Sequence, residues 1–233
     1  MAERPVFLPE PEGPVLVRTE MVAFHWFPGM APAQRKKSVM ALHAAACERD
    51  LCNAPLEVSS KSEEMVGVAL SAFNLSAMTP KQGRVFTVEA AFQSSKVFER
   101  GGPYRDLLFG SSRNAKKDAR LSESGRLTHF EFFGETWPLE PKTAFYDWVY
   151  LNALHRNPDL VESVVQFDAF TDIEFNPKRS INCQAYSVAL YRSLSMRGLL
   201  VEVIGDRGMY DKLISGRAVS TAHEDSQIQP RLL

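Results

Sequence analysis

The chain has 233 residues, of which 45% are hydrophobic and 24% charged, and its formal net charge is −1. Those values suit one soluble domain, or a domain with a small extension, with enough apolar side chains for a sizeable core. They exclude a global field that would draw the protein to nucleic acid or to a membrane, and no apolar run is long enough to span a bilayer.

Residues 1 to 14 are proline-rich, lack an apolar leader-like stretch, and are expected to be extended. Leu16 to Phe27 mixes Val, Leu, Phe and Trp with polar residues and reads as a strand, bent near Thr19. Pro28-Gly29 breaks it. Ala33 to Arg49 reads as an amphipathic helix with Val39, Leu42, His43 and Ala46 on one face. Its first turn holds Arg35, Lys36 and Lys37, where the helix dipole disfavours cations unless an anion lies nearby. Cys47, Cys52 and Cys183 form no even-numbered framework and have no metal-ligand spacing, so a reducing, cytoplasmic setting and no zinc site are expected.

Val66 to Leu75 is apolar, with Ser71 and Asn74 embedded in it. Phe86 to Asp106 then reads as a helix ending in a loop. Thr87 is a good N-cap, and Val88, Ala91, Phe92, Ser95 and Phe98 recur at helical steps. Gly101, Gly102 and Pro103 stop it. A polar stripe of Glu89, Gln93 and Lys96 runs beside the apolar one. A lysine one or two turns from a carboxylate suits a nucleophile beside a proton-transfer group, and it equally suits a solvated face.

Residues 96–126 hold eight Lys/Arg against four Asp/Glu, whereas residues 131–174 hold nine Asp/Glu against two Lys/Arg. The first stretch can meet phosphates and the second can supply acids. Leu127 to Phe133 alternates as an edge strand would. Phe145, Trp148, Val149, Leu151 and Leu154 give a long helix a broad apolar face, and Asn157-Pro158 starts another. Asp168, Asp172 and Glu174 crowd an apolar segment, an arrangement that raises carboxyl pKa values. Ala185 to Leu194 completes the last core helix. Residues 1–204 are expected to form a single domain, and 205–233 an extension or tail.

The segment T-V-E-A-A-F-Q-S-S-K-V-F, Thr87 to Phe98, resembles the signature helix of the NADAR (YbiA-like) family, with Ala90 where that family usually has His. L-S-A-F-N-L ahead of it, S-S-R-N-A-K-K-D-A-R behind it, and Glu174 and Asn182 before the last helix also follow the family order. The family's W-G pair is replaced by Asn176-Pro177. The whole is most similar to the NADAR antitoxins (DarG type) paired with DarT DNA ADP-ribosyltransferase toxins.

This resemblance implies a mainly helical α+β fold around a small sheet, and a hydrolase of N-glycosidic bonds that needs no cofactor and no metal. Its substrate would be ADP-ribosylated guanine in single-stranded or flipped-out DNA, with a DarT-type toxin as partner. Lys96 would be the nucleophile through a Schiff base, with Glu89 and Glu174 as acid and base. Ser71, Phe73, Asn74, Phe92 and Asn182 would shape the pocket, and Gly101, Gly102, Tyr104 and Arg105 would hold the diphosphate. Two alternatives stand beside it. One is an N-glycosidase of small riboflavin-pathway intermediates, and the other a non-catalytic module that binds ADP-ribose or the toxin.

Overall fold

A computed structural model describes residues 1–29, 31–79, 81–178 and 180–216. The order of elements is β1 (Ala2–Pro9), β2 (Val17–Phe24), α1 (Pro32–Glu48), β3 (Pro55–Glu57), α2 (Met65–Ala69), β4 (Ser76–Met78), β5 (Val85–Thr87), α3 (Val88–Ser94) and β6 (Lys96–Phe98). A 3-10 turn (Arg105–Phe109), α4 (Ser112–Lys117), α5 (Arg120–Glu123), β7 (Leu127–Phe132) and β8 (Glu135–Trp137) follow. The chain continues through α6 (Ala144–His155), α7 (Pro158–Val164), β9 (Ala169–Thr171), α8 (Gln184–Met196), α9 (Leu200–Gly205) and α10 (Arg207–Gly216). The class is α+β and mainly helical.

The strands form three sheets rather than one. The largest has the order β2-β1-β9-β3, with β1 antiparallel to both β2 and β9, and β3 parallel to β9. β4 pairs with β5. β6, β7 and β8 form the third sheet, in which β7 is the central strand and not an edge. The alternation of Leu127 to Phe133 therefore reflects two faces of a paired strand, and the segment does not join the N-terminal sheet. The proline-rich start is a full strand, and β2 pairs with it residue for residue from Val17 to Phe24 without a break at Thr19.

Two apolar layers hold these pieces together. α1 covers one face of the large sheet, burying Val39, Leu42 and Ala46 against Val6, Leu8, Val22, Phe24 and Ile173. The other face meets α8, and α8 packs on α6. α6 buries Phe145, Val149, Leu151 and Leu154 together with Tyr146, Asp147 and Tyr150, so it is surrounded and not merely amphipathic. Phe145 anchors an aromatic cluster with Phe92, Phe130, Phe132 and Trp137. The Arg197 guanidinium gathers the carbonyls of Glu10, Glu12, Gly13 and Val15 and fixes the β1–β2 turn to the end of α8.

The segment expected to be an extension begins with α10. Its Tyr210 is fully buried, and the hydroxyl donates to the Ala144 carbonyl at 2.8 Å. Residues 217–233, the rest of that expected tail, lie outside the described residues. Among the described residues, no helix is long and apolar enough to cross a membrane.

Candidate functional site

A cavity of about 470 Å³ opens where α3, α4, α6, the β9–α8 segment and the loops after β3 and α2 converge. Its walls include Ser71, Phe73, Glu89, Phe92, Lys96, Glu174 and Asn182, seven of the residues singled out from the sequence. Gln93, Lys116, Tyr146, Asp172 and Gln184 also line it.

α3 supplies the reactive edge. Thr87 caps it by accepting from the Ala90 N–H at 3.2 Å, as expected from the sequence. The helix then stops at Ser94, two residues before Lys96, and Lys96 opens β6 by pairing with Phe130 of β7. The expected helix to Phe98 is thus replaced by a helix-to-strand junction. The period-3 spacing persists, but sheet pairing with β7 overrides it. The junction carries the Lys96 amine over the Phe92 ring, 4.7 Å from its centroid.

Glu89 is 5% exposed, and its Oε1 accepts from Gln93 Nε2 at 2.9 Å. Among the described residues, its ion-pair partner is Lys116 at 3.7 Å, not Lys96. The Lys116 amine also sits 5.0 Å from the Phe73 ring centroid. Burial depresses the Lys96 ammonium pKa; Glu89 pulls it back up, and the Lys116 charge lowers it further. The result is an amine more readily deprotonated than a surface lysine.

Asp172 and Glu174 are separated by a turn that sends them to different places. Asp172 is buried and accepts from Gln184 Nε2 at 3.0 Å and from the Glu174 N–H at 3.0 Å. Burial pushes its carboxyl up to about 6, against the pull of those hydrogen bonds. Glu174 stands at the rim with its side chain 44% exposed and pairs with Arg35 of α1 at 3.0 Å. Arg35 therefore has its anion in the protein itself, as Lys36 has in Glu63 at 3.4 Å.

Behind Asp172 lies Glu57, fully enclosed, accepting from Ser59, Thr171 and the Ile173 N–H. Burial, with the nearby Asp172 charge, raises it to about 8. Gln184 fastens the wall by accepting from the Ala72 N–H at 2.8 Å and donating to the Val58 carbonyl at 2.6 Å.

The L-S-A-F-N-L run is a turn and not a strand. Its carbonyl at Ala72 accepts from the Glu89 N–H at 2.9 Å, and Ser112 donates to the Phe73 carbonyl at 2.9 Å, so the run is clipped to the starts of α3 and α4. Ser71 is buried and Phe73 half-buried on the cavity wall. Asn74 is exposed and donates to the Val68 carbonyl, away from the cavity.

The structure does not bring Gly101, Gly102, Tyr104 and Arg105 to the cavity walls. Tyr104 hydrogen-bonds Ser124, and Arg105 pairs with Glu131. Gly102 instead packs against the backbone of Lys96: its φ is +91°, and a Cβ there would collide with the Lys96 carbonyl oxygen. Several cations of the basic 96–126 stretch are ion-paired within the protein. Arg120 holds Asp106 and Asp118, Arg126 holds Glu99, and Lys116 holds Glu89.

Sequence reasoning passed over Lys116, Gln184 and Tyr146 as site residues, because only the tertiary fold sets α4, α6 and α8 around Lys96. The one local signal was the A-K pair at Ala115-Lys116 behind the signature helix. Among the described residues, no group of three or more His, Cys, Asp or Glu side chains is placed to hold a metal ion.

No curated protein matches the chain. The family model described as the DarT1-associated NADAR antitoxin matches residues 2–224, nearly the whole length and every wall of the cavity. The chain belongs to the DarT1-associated NADAR antitoxin family.

Proposed function

We propose that this antitoxin hydrolyses the N-glycosidic bond joining ADP-ribose to guanine in DNA, and so reverses the modification made by its toxin. The observation that carries this reading is one cavity holding a desolvated lysine amine together with two buried carboxyl groups, Glu89 and Asp172. Its volume of about 470 Å³ suits a nucleotide-sized ligand. A stacked guanine cannot enter such a cavity, so the modified base arrives from single-stranded or flipped-out DNA.

The Lys96 amine, deprotonated, attacks C1 of the ribose attached to guanine. The C1–N bond breaks and its electron pair leaves with the base. Asp172, whose carboxyl is raised by burial to about 6 and so keeps its proton to a higher pH than an ordinary carboxylate, supplies the proton that guanine takes up. The nitrogen gives up one proton to Glu89, which passes it to the ring oxygen as the C1–O bond breaks, and a protonated imine links Lys96 Nζ to C1. Water adds to the imine carbon and gives a proton to the Asp172 carboxylate. The new hydroxyl's proton moves by way of Glu89 to the lysine nitrogen, the C–N bond breaks, and ADP-ribose departs as its aldehyde with the amine and both carboxyl groups restored. Glu174, held at the rim by Arg35, borders the entrance.

The test is single-turnover release of ADP-ribose from a guanine-ADP-ribosylated oligonucleotide, with borohydride in a parallel reaction. Release and a reduced adduct on Lys96 are expected, and Lys96→Ala is expected to lose both while keeping its melting transition. Full turnover by that variant would falsify the lysine mechanism. Turnover confined to small glycosides would favour the small-molecule N-glycosidase. An inactive chain whose Lys96→Ala variant still protects cells would favour a binding module.

A further inference from the structure

Among the described residues, two acceptor oxygens on the cavity walls are buried and unpartnered: Gln93 Oε1 and Asn182 Oδ1. The identity of the first is fixed by its surroundings. Gln93 is 7% exposed, and its amide nitrogen donates to Glu89 at 2.9 Å. Glu89 is ion-paired with Lys116 at 3.7 Å, and a carboxylate so paired only accepts, so the amide nitrogen faces Glu89 and the carbonyl faces elsewhere. A buried carbonyl left without a donor is costly, and in a ligand cavity the ligand is the natural source of one. Gln93 lies three residues before Lys96, on the same stretch that places the amine over Phe92.

An acceptor selects for donors. Ionised phosphate oxygens and base carbonyls have no proton to offer, whereas sugar hydroxyls and base N–H groups do, and of these donors the 2-hydroxyl adjoins the carbon that Lys96, three residues on from Gln93, attacks. We infer that Gln93 Oε1 accepts a hydrogen bond from the 2-hydroxyl of the ribose on whose C1 Lys96 acts. The inference rests on the glycohydrolase reading above and names what that reading leaves open, namely how the enzyme chooses its bond.

An ADP-ribosylated guanine in DNA carries two N-glycosidic bonds. One joins the base to the ribose of the modification, the other to the deoxyribose of the strand. Cleaving the second would leave an abasic site. The 2-hydroxyl beside the reacting carbon is present on the first sugar and absent from the second. As positive charge develops at C1 that hydroxyl becomes a stronger donor, so a buried acceptor favours the transition state at ribose over that at deoxyribose.

The experiment measures single-turnover release from two oligonucleotides, one carrying ADP-ribose on guanine and one carrying its analogue without that 2-hydroxyl. Wild type is expected to be about a hundredfold slower on the second. Gln93→Met, close in shape but without an acceptor, is expected to be slow on the first and to treat the two within about threefold of each other. Gln93→Leu serves the same comparison if the Met variant loses its melting transition. Equal rates for wild type on the two substrates would overturn the inference, as would a Gln93 variant that keeps the full preference. Absence of release from the parent substrate would instead remove the glycohydrolase reading, which is a distinct outcome.

Discussion

Lys96 owes its readiness to react to the company it keeps. The neutral amine is favoured by burial and by the Lys116 charge, and opposed by Glu89. Lys116 acts twice, because its pairing with Glu89 at 3.7 Å also offsets the carboxylate that would hold Lys96 protonated. Lys116→Met is therefore expected to shift the rising limb of the pH–rate profile to higher pH and to slow release near neutrality. Lys116→Arg restores both. The Lys116 side chain is 56% exposed but that of its partner Glu89 only 7%, so Lys116→Met is also expected to lower stability, and the pH profile is the readout that isolates activation of Lys96. An unmoved pH profile in Lys116→Met would remove Lys116 from the activation of Lys96. At this scale the sequence was readable in part. Glu89 and Lys96 were legible from spacing and motif. Glu174 was legible from the motif and Asp172 only as one of a crowd of carboxyls, and the sequence did not separate the buried group from the exposed one, because the turn that does so is set by Asp172 accepting from the Glu174 N–H.

The elements explain how a short helix presents these groups in fixed relation. α3 ends at Ser94 because the chain must turn into β6, and the turn is closed by Gly102 lying on the Lys96 carbonyl. Gly102→Ala introduces both a strained φ and a clash with that backbone. It is expected to destabilise the fold by about 1–3 kcal/mol in denaturant titrations and to lower turnover more than Lys116→Arg does. Unchanged stability would show that the junction tolerates a side chain there. The start of α3 was legible because capping is local: Thr87 meets Ala90 three residues on. Its end was not, because Lys96 to Phe98 continue a helical spacing and are claimed by a strand some thirty residues later. The glycine pair was likewise visible as a break in the helix, but its partner across the turn, the Lys96 backbone, was not.

Across the whole molecule the cavity draws on residues from Ser59 to Gln184, so its shape depends on the entire core. The helices α1, α6, α7 and α8 follow from periodicity and proline placement, which act over short distances. The division into three sheets, and the central place of β7, depend on partners far along the chain and leave no local mark. α10 belongs to the same apolar core through Tyr210, which is buried against Trp137 and Trp148. Tyr210→Ala is expected to cost about 3–5 kcal/mol and to lower the melting temperature of the whole domain in one transition. An unaltered melting curve would detach the C-terminal segment from the domain's stability.

The order of the large sheet, β2-β1-β9-β3, has a bearing on how the protein is made. β9, the strand between β1 and β3, is synthesised more than a hundred residues after either of them. On the ribosome, β1 and β2 can zip together early, but β3 has no sheet to join until Ala169–Thr171 emerges. The same segment leads into Asp172, on the cavity wall that Lys96 also lines. A nascent antitoxin therefore completes its large sheet and then its cavity late, over the stretch from Ala169 to Gln184, and a chain released before residue 169 has neither.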